Sequence, residues 1–512
     1  MLSTPDDAAM RTLDMLCVAI QAPTAAELIE RASLAARSAR FLEFRLDSVA
    51  APSEAVVLLP GFFASHPGVE AVGTCRRRPG GGHFDGSIAE ELQLLMAAAQ
   101  AGCALVDLEI ESAELLDEAS REGFRAALHA AGALLIVSSH DFTATGDMSA
   151  AVERILRHGP DVVKAVSTAN TLADNLTVLA EIRRRAPHTP IVGIAMGEQG
   201  LASRVLGPRQ GALFTFAAPD ACSGTAPGQA TVRTLEELYR IRSIGRETRI
   251  LGVAGNPIAH SLSPAMHNAA YAELGVDAVM LPLRVTAVDD LLRLVRGLPL
   301  AGVAVTMPLK QQVLPLLDDV DPLVARIGAS NTLRLGDDGR LAGFNTDVDG
   351  VVRPLKRRIP LAGARIAVLG AGGAARAAVF GLVEAGAEVF VINRTEATAQ
   401  ALAAEAGAQT LAIGELARQR FDVLLNTTPC GMKGVAERLP IGEEQLNAGL
   451  VFDMVYNPME TPLLQLARAR GLATIGGIEM FVQQGMRQFE LWTGKAAPEA
   501  TMRRVVEQAL GA

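Results

Sequence analysis

Short apolar runs alternate with helical segments through residues 1–245. Eight of these runs are rich in β-forming residues: LCVAI, FLEFRLD, AVGTCR, ALVDLEI, LLIVSSH, DVVKAVS, PIVGIAMG and ALFTFAA. Most are separated by Ala-, Leu- and Glu-rich segments with helical periodicity, such as SIAEELQLLMAAAQAG and ADNLTVLAEIRRRA. An eightfold repeat of strand and helix predicts an α/β protein that begins with a (β/α)8 TIM barrel.

Ionisable side chains interrupt these runs late in the expected strands. They are Glu43, Arg45, Arg76, His140 and Lys164. Functional groups of such barrels lie at the carboxyl ends of the strands. Any one of these residues alone is more often part of a surface salt bridge, but five on one rim predict an active site.

Lys164 and His140 suit a carbonyl substrate. Lys164 lies in DVVKAVS, a run so apolar that burial favours the neutral amine, which is the form that attacks a ketone. His140 ends the preceding run, so a barrel would make the two residues neighbours. A lysine that extends to solvent and a buried structural histidine are the commoner arrangements. Under a rim of arginines, the pair instead predicts imine formation, α-proton abstraction and β-elimination.

A polar junction separates this pattern from a second one. RSIGRETR, residues 242–249, follows the eighth repeat, and the strand pattern restarts at ILGVAGNPIAHSLSP. From residue 365, RIAVLGAGGAARAAVFGLVEAGAEVFVINRT indicates strand, glycine turn, helix and strand, which is typical of a Rossmann-type dinucleotide-binding unit. Gly370 and Gly372 precede the helix, whose free N–H groups suit a pyrophosphate.

The end of the second strand of this unit indicates the cofactor. An NAD enzyme carries an acid there for the ribose hydroxyl, whereas this chain has Asn393, Arg394 and Thr395. An arginine can pair with the 2′-phosphate of NADP. NADP is therefore the expected cofactor.

A lysine and an aspartate in the second half could act on the substrate. VAVTMPLK places Lys310 after an apolar strand, and FNTDVDG places Asp347 before the dinucleotide-binding unit. Across a cleft, each charge would affect the protonation of the other, and the pair could bracket a reacting hydroxyl.

Composition argues against several classes of protein. A balance of 47 Lys+Arg against 56 Asp+Glu, net charge −9, disfavours nucleic-acid and anionic-membrane partners. Five cysteines without CxxC spacing fit a reducing compartment and predict neither disulfides nor a metal site. The N-terminus lacks the basic region of a signal peptide and an apolar stretch of membrane-spanning length. We expect a cytoplasmic protein that binds small molecules; the sequence leaves the oligomeric state open.

Residues 249–512 resemble shikimate dehydrogenase. The resemblance rests on nine motifs in the family's order: NPIAHSLSPAMHN, VTMPLK, GASNTL, FNTDVDG, GAGGAAR, NRT, NTTPCGM, DMVYNPMETPLL and GIEMFVQQG. It implies that Lys310 and Asp347 are the catalytic pair. The implied substrate ligands are Ser261, Ser263, Thr306, Asn331, Tyr456 and Gln484. The implied cofactor contacts are Gly370, Ala371, Gly372, Gly373, Ala374, Asn393, Arg394, Thr395, Asn426, Thr427, Thr428, Gly477 and Met480.

Two hydroxyl residues bear on the substrate. Without the resemblance, Ser261 and Ser263 would be read as caps of a helix beginning at Pro264. In related quinate dehydrogenases, small residues tend to make room for an additional hydroxyl at the positions of Ser261 and Thr306. Both hydroxyls are present here, so shikimate is favoured over quinate.

Residues 12–235 resemble type I 3-dehydroquinate dehydratase. The matching motifs are EFRLD, GTCR, SSHDF, DVVKAV, MGEQGLASR and GTAPGQ. The resemblance implies that Lys164 forms the Schiff base and His140 is the general acid/base. The implied substrate ligands are Glu43, Arg45, Arg76, Arg204, Thr225 and Gln229.

A dehydratase followed by a dehydrogenase is the order of bifunctional plant enzymes, in which the first product is the second substrate. The expected domains are a dehydratase barrel at 1–245, a substrate-binding domain at 246–347 completed by 478–512, and an NADP domain at 348–477.

One stretch, RRRPGGGHFDG, departs from the dehydratase pattern. The family has a glutamate shortly after the arginine that matches Arg76, as partner of the catalytic histidine, and this chain has Gly80 there. A histidine without a carboxylate partner predicts a slower dehydratase, unless His83 or Asp85 substitutes. Arg77 and Arg78 are expected to be solvated loop charges.

Two alternatives to a bifunctional enzyme remain. One is an active shikimate or quinate dehydrogenase with a weak or inert barrel. The other is a non-catalytic regulator of quinate or shikimate use, whose signature would be loss of the lysines, yet Lys164 and Lys310 are both present.

Overall fold

A computed structural model describes residues 13–226, 228–435 and 438–511. The chain divides into two compact units, the first ending at Thr248 and the second beginning at Arg249. The division lies within the polar junction, three residues after the expected boundary at 245. None of the helices within the described ranges is long and apolar enough to span a bilayer.

The first unit is an eight-stranded parallel barrel, and all eight predicted strands are confirmed. The strands are β1 (Leu16–Ile20), β2 (Phe41–Arg45), β3 (Glu70–Thr74), β4 (Leu105–Glu109), β5 (Leu134–His140), β6 (Val162–Thr168), β7 (Ile191–Met196) and β8 (Thr215–Ala217). They follow the order β7-β6-β5-β4-β3-β2-β1-β8. The barrel is nearly closed, because the Leu213 N–H donates to the Ile191 carbonyl at 2.8 Å.

Helices connect the strands of this barrel. They are α1 (Ala25–Ala35), α2 (Pro52–Ser65), α3 (Ile88–Gln100), α4 (Ile110–Ala113), α5 (Glu118–Ala130), α6 (Met148–Leu156), α7 (Asp174–Arg185) and α8 (Leu201–Leu206). Several begin at side chains that accept from the first turn; Ser87 and Glu90, for example, form a capping box at the start of α3.

The alternation of side chains along each strand places one set inside the barrel. Val162 and Val166 of β6 belong to the interior core, and Lys164 lies between them with the same orientation. Apolar side chains therefore lie on both sides of Lys164 along β6, and the lysine belongs to a polar layer between them.

The second unit begins with a mixed six-stranded sheet. Its strands are β9 (Arg249–Gly255), β10 (Ala278–Arg284), β11 (Leu300–Val305), β12 (Asp319–Val320), β13 (Thr332–Leu335) and β14 (Leu341–Phe344), in the order β10-β9-β11-β13-β14-β12. The accompanying helices are α9 (Ser263–Glu273), α10 (Val288–Gly297) and α11 (Pro322–Ile327). Met266 of α9 packs in one core with Phe489 and Val506 from the end of the chain.

The beginning of α9 differs from the sequence interpretation. The helix starts at Ser263, Leu262 occupies the cap position, and no side chain accepts there. The prediction that Ser261 and Ser263 cap this helix is therefore wrong. The Ser261 hydroxyl instead accepts weakly from the Ser263 N–H at 3.4 Å.

A second, wholly parallel sheet follows. Its strands are β15 (Arg365–Leu369), β16 (Glu388–Ile392), β17 (Gln409–Thr410), β18 (Phe421–Asn426), β19 (Ala448–Asp453) and β20 (Ala473–Ile475). The helices of this part of the chain are α12 (Asp347–Lys356), α13 (Gly373–Glu384), α14 (Glu396–Ala406), α15 (Pro462–Ala469), α16 (Gly477–Thr493) and α17 (Glu499–Gly511).

The strand order β17-β16-β15-β18-β19-β20 is that of a Rossmann fold. Val368 and Leu369 belong to cores on opposite faces, so both sides of the sheet are covered. The order reverses between β15 and β18, where such folds bind dinucleotides. The predicted βαβ unit and the α/β class of the whole chain are confirmed.

Candidate active sites

Lys164 lies at the centre of the barrel's polar layer. It is the third of seven residues in β6 rather than late in the strand as predicted, and it is 4% exposed. Its Nζ is 2.7 Å from Asp107 Oδ2 and 3.5 Å from Glu43 Oε1, and it lies 4.2 Å from the centre of the Phe216 ring. The ammonium is thus buried, but two carboxylates compensate its charge.

Asp107 is a site residue that the sequence reasoning missed. It is 1% exposed, and the same Oδ2 accepts from Lys164 and from Arg76 Nη2 at 3.2 Å. Burial alone would raise the pKa of Asp107, but Lys164 and Arg76 bring it below the ordinary value. The sequence signal that could have found it is a carboxylate in the apolar run ALVDLEI, two positions after Leu105. Residues two apart in a strand share a face, and Leu105 faces the interior of the barrel.

His140 ends β5 and is half-buried. Its Nε2 is 3.1 Å from Arg76 Nη1, and its ring stacks on Phe142. Burial, followed by the positive charges of Arg76, Lys164 and Arg45, holds the pKa of His140 well below its usual value. Since a guanidinium can only donate, Nε2 accepts, and His140 is a neutral imidazole able to take up a proton.

One cavity at the carboxyl ends of the strands brings together all eight residues predicted for this site. They are Glu43, Arg45, Arg76, His140, Lys164, Arg204, Thr225 and Gln229. Arg204 is almost fully buried, and burial lowers its pKa to about 10. Arg45 forms two bonds to Asp47, at 2.9 and 2.8 Å. The Thr225 N–H donates to Gln229 Oε1 at 2.7 Å. The cavity is therefore lined by donors suited to carboxylate and hydroxyl groups.

The second unit holds a lysine–aspartate pair. Lys310 Nζ is 2.5 Å from Asp347 Oδ2. Asp347 begins α12 and is 5% exposed, whereas the Lys310 side chain is 26% exposed. Asn331 donates to the other oxygen of Asp347 at 2.8 Å. The carboxylate is therefore held from two sides, and the ammonium remains open to a ligand.

The other predicted substrate ligands occupy several elements. Asn331 precedes β13, and its Oδ1 accepts from the Thr346 N–H at 2.7 Å, so its side chain is engaged within the protein. Thr306 follows β11 and packs where a side chain on Gly255 would lie, and Ser261 precedes α9. The centre of the Tyr456 ring lies 5.1 Å from that of the Phe481 ring, with the two rings tilted, and Gln484 is on α16.

The glycine turn after β15 forms an open cradle at the start of α13. Gly370 has φ +113°, and a Cβ there would lie 2.5 Å from Thr427 Oγ1, so only glycine fits. A Cβ on Gly372 or Gly373 would meet no atom within 4 Å. This space faces the free N–H groups of a helix, which fits a dinucleotide pyrophosphate. Ala371 belongs to the same turn, and Ala374 belongs to the first turn of α13.

Family models match both halves of the chain. The model for type I 3-dehydroquinase matches residues 16–246. Those for the shikimate dehydrogenase substrate binding domain, shikimate / quinate 5-dehydrogenase and the shikimate 5′-dehydrogenase C-terminal domain match residues 253–333, 355–430 and 477–507. The bifunctional 3-dehydroquinate dehydratase/shikimate dehydrogenase of Arabidopsis thaliana, a chloroplastic protein, is 36% identical over 452 residues, covering 83% of this chain and 73% of that protein. The chain belongs to this bifunctional family.

The dehydrogenase half is also similar to single-activity proteins. The shikimate dehydrogenase (NADP(+)) of Methanosarcina mazei is 44% identical over 281 residues, covering 52% of this chain and 99% of that protein. Among solved structures, Thermus thermophilus shikimate 5-dehydrogenase in complex with NADP(H) and shikimate has 40% sequence identity to this chain. The match covers 51% of this chain and 100% of the Thermus chain, with a TM-score of 0.48.

The loop after β3 packs Gly80 closely against a buried side chain. Phe84 N–H donates to the Arg76 carbonyl and Arg78 N–H to the Phe84 carbonyl, both at 3.1 Å, so the loop closes on itself. A Cβ on Gly80 would lie 2.8 Å from Glu109 Cγ. The backbone at this position is thus packed directly against the buried Glu109 side chain.

The neighbours of Gly80 on this loop differ in position. His83 lines the dehydratase cavity, and its N–H donates to Asp47 at 3.2 Å. Asp85 lies on the surface, paired with Arg78, and does not line that cavity. The prediction that Arg77 is a solvated charge is wrong, because its half-buried guanidinium donates to the Gly86 carbonyl at 3.2 Å.

The remaining residues predicted to contact the cofactor fall into two groups. Arg394 is exposed after β16, and Asn393 donates to the Thr395 carbonyl at 3.1 Å. Asn426 is fully buried: it donates to Asp453 at 2.9 Å and accepts from the Thr428 N–H at 3.0 Å, so it supports the turn from within.

The last two residues predicted to contact the cofactor, Gly477 and Met480, lie at the start of α16. A Cβ on Gly477 would lie 2.4 Å from the Val455 carbonyl, which requires glycine at this close approach. Met480 is partly buried against the core of the Rossmann sheet.

Proposed function

We propose that the barrel converts 3-dehydroquinate to 3-dehydroshikimate through an imine on Lys164, and that the second unit reduces this product to shikimate with NADPH. The observation that carries the barrel chemistry is that Lys164 and His140 line one cavity with the donors Arg45, Arg76 and Arg204. The small-molecule ligands of this assignment are 3-dehydroquinate, 3-dehydroshikimate, shikimate and the NADP cofactor.

The barrel reaction begins when the Lys164 ammonium, whose Nζ is 2.7 Å from Asp107 Oδ2, loses a proton to solvent in the cavity. The neutral amine adds to the ketone carbon, and loss of water gives the iminium. His140, a neutral imidazole, removes the proton on the carbon next to the iminium. The electron pair left behind expels the β-hydroxyl, which leaves as water with that proton. Hydrolysis of the iminium then restores the ketone and the lysine.

Reduction with borohydride tests this step. Borohydride converts an iminium to a stable secondary amine, so the wild-type protein incubated with 3-dehydroquinate should gain a covalent adduct on the peptide that contains Lys164. The Lys164→Met variant should gain none. Binding of 3-dehydroquinate without an adduct on the wild-type protein would favour the inert barrel.

In the second unit, the cofactor supplies a hydride to the substrate carbonyl when it is bound. Lys310, held by Asp347, donates a proton to the carbonyl oxygen in reduction and takes it back in oxidation. The open cradle at Gly372 and Gly373 suits the pyrophosphate, and the exposed Arg394 suits a 2′-phosphate, so NADP is the cofactor. The hydroxyls of Ser261 and Thr306 favour shikimate over quinate.

Conversion of 3-dehydroquinate and NADPH to shikimate by the purified full chain tests both activities together. The regulator alternative predicts binding without turnover; the presence of both lysines, each beside an aspartate, favours the enzyme. A reducing compartment such as the cytoplasm suits the protein, because all five cysteines are free thiols and three of them are buried.

A further inference from the structure

A chain of buried hydrogen bonds leads from Asp347 to helix α16. Asn331 donates to Asp347 Oδ1 at 2.8 Å. Thr332 Oγ donates to Asn331 Oδ1 at 2.8 Å. Gln488 Nε2 donates to Thr332 Oγ1 at 3.1 Å. Each of these four residues is 5% exposed or less. Solvent therefore cannot replace a bond that is lost from this chain.

The direction of these bonds is determined at both ends. Asp347 as a carboxylate can only accept, and the Thr346 N–H that bonds to Asn331 Oδ1 can only donate. The Asn331 amide is thus fixed with its nitrogen toward Asp347. At the other end, the Gln488 nitrogen also faces the Asn331 carbonyl at 3.4 Å, which can only accept, so Gln488 donates to the Thr332 hydroxyl and that hydroxyl gives its one proton to Asn331. Bonds aligned in one direction strengthen one another.

Rigid packing surrounds the far end of the chain. Gln488 is beside His267, which is fully buried and 5.2 Å from the Trp492 ring. Burial lowers the pKa of His267 to about 4, against a smaller opposite effect of Gln488, so this neighbour is neutral. The Trp492 indole donates to the Leu333 carbonyl at 2.9 Å. The position of the Gln488 amide is therefore set by packing between α9, α16 and β13.

We propose that Gln488 is a positioning residue of the dehydrogenase, which acts through Thr332 and Asn331 to orient the Asp347 carboxylate. Holding Oδ1 directs Oδ2 toward Lys310, whose proton takes part in the reaction. Gln488 does not need to touch the substrate to do this. This role rests on the dehydrogenase activity proposed above.

A matched control is available on the same helix. Gln483 is also on α16, is fully buried, and donates to Glu499 at 3.0 Å, with no bond toward Asp347. Gln488→Met and Gln483→Met each remove one buried amide and keep the length of the side chain. They should cost similar stability, whereas only Gln488→Met should affect the reaction.

The measurement is steady-state oxidation of shikimate with NADP+ by the full chain. We expect Gln488→Met to lower kcat by about tenfold, the equivalent of one buried hydrogen bond, with KM for shikimate little changed. Gln483→Met should keep the wild-type kcat. Thr332→Val should reproduce the loss, and Thr332→Ser, which retains the hydroxyl, should restore it. Combining Gln488→Met with Thr332→Val should lower kcat no further than Thr332→Val alone, since the chain is already cut.

Fluorescence shows whether a variant keeps its packing, because Trp492 is the single tryptophan and adjoins this cluster. Wild-type emission with a lowered kcat supports positioning. An unchanged kcat in Gln488→Met, an equal loss in Gln483→Met, or additive effects in the double variant would overturn it. Absence of shikimate oxidation by the wild-type protein would instead overturn the proposed function, and this role with it.

Discussion

The two active sites both pair a lysine with an aspartate, yet they surround the ammonium differently. In the barrel, Lys164 is 4% exposed and is enclosed by Asp107, Glu43 and the Phe216 ring. In the dehydrogenase, the Lys310 side chain is 26% exposed and bonds to Asp347.

This difference matches the chemistry of each half. A lysine that forms an imine must become a neutral nucleophile, and burial favours that neutral form, whereas the neighbouring carboxylates favour the ammonium. A lysine that exchanges a proton with a hydroxyl must remain accessible to the substrate and keep its orientation. On the proposed assignment, the same pair of residue types performs two reactions, because burial and neighbours differ.

The largest expected effect is the selective loss of one activity when either lysine is replaced. Lys164→Met should abolish dehydration of 3-dehydroquinate and leave shikimate oxidation intact. Lys310→Met should lower shikimate oxidation by about 10²- to 10⁴-fold and leave dehydration intact. Each variant is assayed with both substrates. A single variant that lowers both rates would show that the comparison of two independent sites is wrong.

The two aspartates should differ in their effect on stability. Asp107→Asn should lower the free energy of unfolding by about 3 kcal/mol, because Lys164 and Arg76 then lose a shared buried carboxylate. Asp347→Asn should cost less, since Lys310 can reach water. Urea unfolding followed by circular dichroism measures the first, and Trp492 fluorescence measures the second. Equal losses in the free energy of unfolding would show that burial does not distinguish the two sites.

Arg394→Ala tests the cofactor assignment in the dehydrogenase alone. We expect the KM for NADP+ to rise by about tenfold, because one charge-assisted contact to the 2′-phosphate is lost, with the KM for NAD+ unchanged. Dehydratase activity serves as the internal control. A parallel rise for both cofactors would place Arg394 away from the 2′-phosphate.

Gly80→Glu tests whether the barrel is limited by its missing carboxylate. The new Cβ would lie 2.8 Å from Glu109 Cγ, so we expect a loss of about 1–3 kcal/mol of stability and no gain in dehydratase kcat. Gly80→Ala is the control, as it introduces the contact without the acid. A clear increase in kcat for the glutamate variant alone would show that this position does limit turnover.

A pH-dependent effect on stability concerns a buried carboxyl pair behind the same loop. Ser112 bridges Glu91 at 2.7 Å and Glu109 at 3.1 Å, and burial together with Glu109 raises the pKa of Glu91 to about 9 from an ordinary 4.5. Between these values the folded protein keeps a proton that the unfolded chain releases. Stability should therefore fall as pH rises from 4.5 to 9, by at most about 1.4 kcal/mol per pH unit.

Glu91→Gln, which cannot titrate, provides the comparison for this effect. Its urea midpoint should vary less with pH across that window than the wild-type midpoint. Identical pH dependence of the two proteins would show that Glu91 is not the group responsible.

Local sequence patterns were sufficient to predict much of the fold. Short apolar runs rich in β-forming residues predicted all eight barrel strands, and the glycines after β15 predicted the cofactor turn, because strand propensity and backbone freedom are properties of neighbouring residues. Strand position and side-chain chemistry singled out Lys164, His140, Lys310 and Asp347, and the resemblance implied their catalytic roles. Their roles stay predictions until the experiments above are done.

Contacts between distant residues were decided by the tertiary structure. Asp107 meets Lys164 across 57 residues of sequence, and Gln488 meets Thr332 across 156. Ser263 begins its helix without capping it, and Arg77 turns inward. A residue's own sequence determines which face of a strand or helix it occupies, but its hydrogen-bond partners depend on which strands and helices pack together, and that is a property of the whole fold.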